Sequence, residues 1–237
     1  MEFTDAQIGA WVGSFAWPMF RIASFLMIIP VFGTQLVPMR VRNGLAFILA
    51  MLVAPIIPEV PLVDALSINA LLITIQQIFI GALMGFMFVM LMQIFVVAGQ
   101  IIAMQMGLGF ASMVDPANGV TVPVLSQIYQ VCVTLIFLAM NGHLVMIEVI
   151  VESFEIWPIS QDILGGLSVQ PTELWMFLIK VNWLFASALL VALPVITSVL
   201  IVNLSFGIVT RAAPQMNVFT LGFPIGMIFG LFLIWAS

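Results

Sequence analysis

Few residues in this chain could do chemistry. Among 237 residues there is one histidine, His143, and one cysteine, Cys132. A lone histidine cannot build a multi-histidine metal site. A lone cysteine excludes an internal disulfide and any multi-cysteine metal site. His143 reads as an interfacial or packed residue. No HExxH, GxSxG or Walker A sequence occurs, and no pair of membrane aspartates adjoins glycine. Gly107 and Gly109 begin a GxG pattern, but the spacing to Gly119 does not continue it. The expectation is a protein that is not an enzyme and carries no cofactor or metal.

Two charged residues stand apart from the rest. Arg21 lies inside an apolar run. A charge there costs about 2.5–3.5 kcal/mol or more at mid-bilayer. Either it faces protein or water, paired with an acid of this chain or a neighbour, or it snorkels to an interface from a tilted helix. Asp115 precedes Pro116. A proton relay is one conceivable role for it, and a turn-forming aspartate before proline is the plainer one.

Other signals concern packing. Glycine recurs every fourth residue at Gly9/Gly13, Gly81/Gly85 and Gly222/Gly226/Gly230. That spacing puts glycine on one helix face and lets backbones approach closely. Met84, Met87 and Met90 recur at a spacing of three. They read either as a compliant seal or as ordinary apolar filling. Gln76, Gln77, Gln93, Gln100, Gln105 and Gln127 sit on apolar segments and need partners, either between helices or along a wet path.

The elements that must position these residues are membrane helices. The chain is 64% hydrophobic and 6% charged, with a mean hydropathy of +1.29. Soluble domains carry roughly 25% charged residues. The fold class is therefore all-α and polytopic in a membrane. Five scattered bases against ten acids cannot make a nucleic-acid surface. The acidic start "MEFTDAQIGAW" lacks the basic region of a cleaved signal peptide and reads as a polar lead into the first helix.

Hydropathy predicts six segments: 8–37, 45–57, an uncharged run from Ala65 to Val114, 120–147, 174–209 and 218–237. Pro194 is expected to kink the fifth, and the last apolar run is still open where the sequence stops. The uncharged run is too long for one straight crossing, so it must bend, fold back or continue inside a larger assembly. Glu148 to Glu173 reads as the one sizeable polar region. Arg40, Arg42 and Arg211 place their loops, and Asp115, on the cytoplasmic side, with Lys180 dissenting.

Three stretches carry a family resemblance: "IPVFGTQLVPMRVRNGLA" (Ile29–Ala46), "GQIIAMQMGLGFASMVDPANG" (Gly99–Gly119) and "RAAPQMNVFTLGFPIG" (Arg211–Gly226). The chain resembles the FliR family, the flagellar member of the type III secretion export gate, over essentially its whole length. Ile225, where an injectisome homologue (SctT) is expected to carry lysine, leans flagellar. The resemblance implies bent helical hairpins forming one unit over 1–237, like a fused FliP-like and FliQ-like subunit. It implies one copy of this chain in a hetero-oligomer with FliP and FliQ. FlhB and FlhA would lie nearby in the bacterial inner membrane, at the flagellar basal body. Exported unfolded flagellar proteins would pass through, and membrane lipid would surround the assembly.

The resemblance also implies that residues of about 106–119 form a channel plug. Their chemistry suits this. Gly107, Gly109 and Gly119 free the backbone, and Asp115-Pro116 favours a return turn. Met106, Leu108, Phe110 and Met113 supply apolar bulk that can close a pore by dewetting. The alternative function is a small-molecule or ion transporter, for which no clear inverted repeat is visible.

Overall fold

The computed structural model describes residues 5–57, 61, 63, 67–115, 119, 121–159, 171–212 and 218–236. Among them are seven α-helices: α1 (Asp5–Ile28), α2 (Met39–Val53), α3 (Ile68–Gln105), α4 (Val124–Ala139), α5 (Gly142–Ile156), α6 (Pro171–Ala212) and α7 (Val218–Ala236). The all-α expectation holds with one exception. Strands β1 (Ser112–Val114) and β2 (Thr121–Pro123) pair antiparallel, with Met113 opposite Val122. Strands of three residues are too short to show an alternating pattern in sequence.

Among the described residues, two helices are long and apolar enough to cross a membrane, Ile68–Gln105 and the Ile179–Arg211 part of α6. A third crossing is available if α4 and α5, bent by 71°, count as one broken span. Helices α1 and α7 have 24 and 19 residues. Helix α2 has 15 residues, about 22 Å at roughly 1.5 Å each, short of the roughly 30 Å hydrocarbon layer.

Most of the uncharged run, Ile68–Gln105, is one unbroken 38-residue helix, about 57 Å long, with no proline in it; the run then breaks at Gly107. Helix α6 continues through Pro194, where the hydroxyls of Thr197 and Ser198 donate to the carbonyls of Leu193 and Pro194. The region from Glu148 onward begins as helix. In α5, Gly142, Met146, Ile150, Ser153 and Phe154 are buried on one face. Glu148, Glu152 and Glu155 are exposed on the other. Residues 160–170 lie outside the described residues.

The chain forms two compact units, 1–90 with 134–177, and 91–133 with 178–237. Unit 1 has the larger apolar core. Ile22, Phe25 and Leu26 of α1, with Ile29 just after it, meet Ala46 and Ala50 of α2, Ile73 of α3, and Met146, Ile150 and Phe154 of α5. Phe15 and Phe47 stack edge-on at 5.0 Å, and Phe25 and Phe88 at 5.9 Å. Arg42 ties the α1–α2 turn by donating to the carbonyls of Thr34 and Val37.

Candidate functional site

Two places gather the residues singled out above, one in each unit. In unit 1 the centre is Arg21, which is 0% exposed. Its Nε donates to Oε1 of Gln77 on α3 at 2.7 Å. Its Nη1 donates to the carbonyl of Ser153 on α5 at 2.9 Å and to the Ser153 hydroxyl at 3.2 Å. Its Nη2 donates to the Trp157 carbonyl at 2.8 Å. The guanidinium carbon stands 4.2 Å from the centroid of the Phe154 ring. Arg21 therefore does not snorkel, and each of these partners is neutral. Carbonyl dipoles at the end of a helix and an aromatic face take the place of a counter-ion.

Glycine makes this arrangement reachable. Gly81 lies one helical turn after Gln77. A Cβ at Gly81 would overlap the carbonyl oxygen of Arg21 and the Oγ of Ser24. A Cβ at Gly85 would stand 3.0 Å from Ile28 Cβ and 3.1 Å from the Phe25 carbonyl oxygen. Helices α1 and α3 thus meet backbone to backbone, which carries the Gln77 amide to Arg21. Sequence reading named Gly81, Gly85 and Arg21 separately, and the fold joins them. It missed Ser153, Phe154 and Trp157, whose helix had been read as part of a polar connector. Gln77 had been marked only as an amide needing a partner. Its neighbour Gln76 is also buried, and its amide has no hydrogen-bond partner among the described residues. Met84 and Met90 are buried while Met87 is partly exposed. His143 is half-buried and lines a cavity of about 10 Å³ with Ile22, Leu26, Leu49 and Met146.

In unit 2 the segment from Met106 onward is an ordered hairpin. Gly107 takes φ 76° directly after α3, and Gly119 takes φ 71° at the other end of the turn. Leu108–Phe110 form a single 3-10 turn, and β1 and β2 follow. The Val124 N–H donates to the Ala111 carbonyl at 3.0 Å, and the Gly119 N–H to the Asp115 carbonyl at 2.8 Å. Asp115 is 1% exposed. A Cβ at Gly109 would stand 2.5 Å from Met104 Sδ. Pro116 and the side chains of Phe110 and Met113 lie outside what is described.

Met106 differs from its neighbours in the hairpin. It is 3% exposed, and its side chain occupies the space where a Cβ on Gly230 of α7 would sit. It anchors the root of the hairpin to α7. Gly222 and Gly226 are buried on the same helix, but a Cβ at Gly226 would have only Asn203 Oδ1, at 3.9 Å, within contact range. Gly230, by contrast, stands against Met106.

The sequence model of the bacterial export proteins, family 1, matches residues 12–237. The chain belongs to that family. Both candidate sites fall inside the region that defines this export family. Relatives include the flagellar biosynthetic protein FliR of Escherichia coli (strain K12), 36% identical over 100% of this chain and 88% of the relative. That of Aquifex aeolicus (strain VF5) is 32% identical over 92% of this chain and 82% of the relative. That of Bacillus subtilis (strain 168) is 30% identical over 86% and 78%.

Proposed function

We propose that this chain is a membrane subunit of the flagellar type III protein-export gate. It works inside a hetero-oligomer with FliP and FliQ, as one copy, with FlhB and FlhA alongside, in the bacterial inner membrane at the flagellar basal body. Unfolded flagellar subunits are its cargo. The observation that carries the reading is a mismatch of length. Helix α3 is about 57 Å long and the apolar part of α6 about 50 Å, at roughly 1.5 Å per residue. At a tilt of about 40°, the upper end of the usual range, they still project about 44 Å and 38 Å against roughly 30 Å of hydrocarbon. Yet the apolar window of α6 is only 22% buried within the chain, and Ile179, Trp183, Leu190, Leu200, Leu204 and Ile208 are exposed along its length. Lipid alone cannot cover both ends, so protein must.

The 107–123 hairpin is the channel plug in this reading. Its root packs against α7 through Met106, it turns on two positive-φ glycines, and Leu108, Phe110 and Met113 give it apolar bulk. Asp115 and Gly119 bound its far turn, the Gly119 N–H donating to the Asp115 carbonyl. Replacing residues 111–121 by a short Gly-Ser linker should leave assembly intact and make the complex conduct ions in planar bilayers. An assembled variant that stays ion-tight sinks the plug. The alternative, a small-molecule or ion transporter, calls for a charge in a solvated path. Arg21 is enclosed and held by neutral groups, which counts against it. Purification separates the two readings: a large hetero-oligomer supports the gate, and a lone chain or small homo-oligomer supports the transporter.

A further inference from the structure

We propose that Arg21, supplied from α1, is the C-terminal cap of α5, the helix that follows the elbow after α4. The inference does not depend on the gate reading.

The elbow is a break in an otherwise apolar helical stretch. It turns on Asn141, which takes the left-handed conformation at φ 59°. Gly142 follows because a Cβ there would overlap the Phe137 ring. Helix α5 then has 15 residues, a length at which an isolated helix is marginal. Of its last carbonyls, that of Ser153 accepts the Trp157 N–H at 2.9 Å and keeps a second lone pair open, while the Trp157 carbonyl lies just past the helix end. The usual remedies are missing: no basic residue lies in its last turn, and Trp157 rather than glycine ends it. Instead a guanidinium arrives from another helix. It bonds the Ser153 and Trp157 carbonyls and the Ser153 hydroxyl, and it stacks over Phe154. A cation at a helix C-terminus is favoured by the peptide dipoles, most strongly where water is excluded. Ser153 adds to the cap, since its hydroxyl also donates back to the Ile150 carbonyl.

The planar fork matters as much as the charge. Four acceptors on two helices are met by one rigid group, and lysine offers a single point with three donors. Gln77 orients the fork through Nε but touches no atom of α5 in this network. Arg21 is thus a positioning residue acting on α5, and Gln77 steadies it.

The test is hydrogen exchange of the α5 end, Ser153–Trp157, in the purified membrane complex. Two variants serve: Arg21→Lys, and the double change Arg21→Met with Gln77→Leu. The double change removes both buried polar groups together, so no unpaired charge or amide is left to unfold the unit. Both should raise exchange across Ser153–Trp157 roughly tenfold. Exchange in the middle of α3 and in the 112–123 hairpin should stay at the wild-type rate. If the double variant keeps the α5 end as protected as in the parent, Arg21 only fills space and the cap is wrong. If lysine restores full protection, the fork has no role and the proposal falls in that form.

Discussion

Unit 1 and unit 2 both use glycine to let helices touch, but against different kinds of neighbour. Gly81 faces a backbone carbonyl and a hydroxyl that is itself bonded to that carbonyl, Ser24 Oγ to Arg21 O at 2.9 Å. Neither can move without shifting α1. Gly230 faces the tip of Met106, an unbranched side chain with three rotatable bonds. One contact is rigid and fixes where a buried charge lies. The other is compliant and sits at the root of a turn proposed to move. The same residue type thus marks a fixed joint in one unit and an adjustable one in the other, and only the neighbouring atoms tell them apart.

The sharpest way to break this comparison is Gly81→Ala. The added methyl cannot be accommodated by a rotamer change, so α1 and α3 must separate and Gln77 withdraws from Arg21. The expected loss is about 3 kcal/mol, at the upper end of overpacking costs. It should appear as a lower thermal midpoint of the purified complex or as loss of assembled material. Unchanged yield and melting would show that the α1–α3 crossing has slack and that Gly81 is no fixed joint.

Gly107→Ala is expected to cost less, about 1–2 kcal/mol, because an L side chain is strained at φ 76°. The effect should be confined to unit 2. Exchange should rise in the 108–123 hairpin and stay unchanged at the end of α5. A matching rise in unit 1 would mean that the two regions are not separable.

How much of this could be read beforehand follows from what each feature depends on. Gly107 and Gly119 were visible because positive φ is a property of the residue itself. Membrane class was visible because it sums over the whole chain. The Arg21 cap was hidden, since Ser153 and Trp157 are more than 130 positions away along the chain. Their helix carries Glu148, Glu152 and Glu155, which made it look like a polar connector. The short strands flanking Asp115 lacked the length to show a period of two.

The smallest expected effect is at Gly230→Ala. A new methyl would meet Met106 at its Cε, Sδ and Cγ, at 2.6, 2.7 and 2.8 Å. These are atoms near the free end of a flexible side chain, so a change of rotamer relieves most of the overlap. The cost should stay below about 1 kcal/mol, within what volume changes beside methionine usually cause. Helix α7 also gains slightly, since alanine is favoured over glycine in a helix interior by roughly 0.8–1.0 kcal/mol. The two terms offset, and the thermal midpoint should barely move. The hairpin root should still respond, because Met106 must find a new place: exchange at Gly107–Ala111 should rise while α7 itself stays protected. A fall in stability as large as that of Gly81→Ala would show that Met106 is held as rigidly as the Arg21 backbone. The distinction between a fixed and an adjustable joint would then be lost.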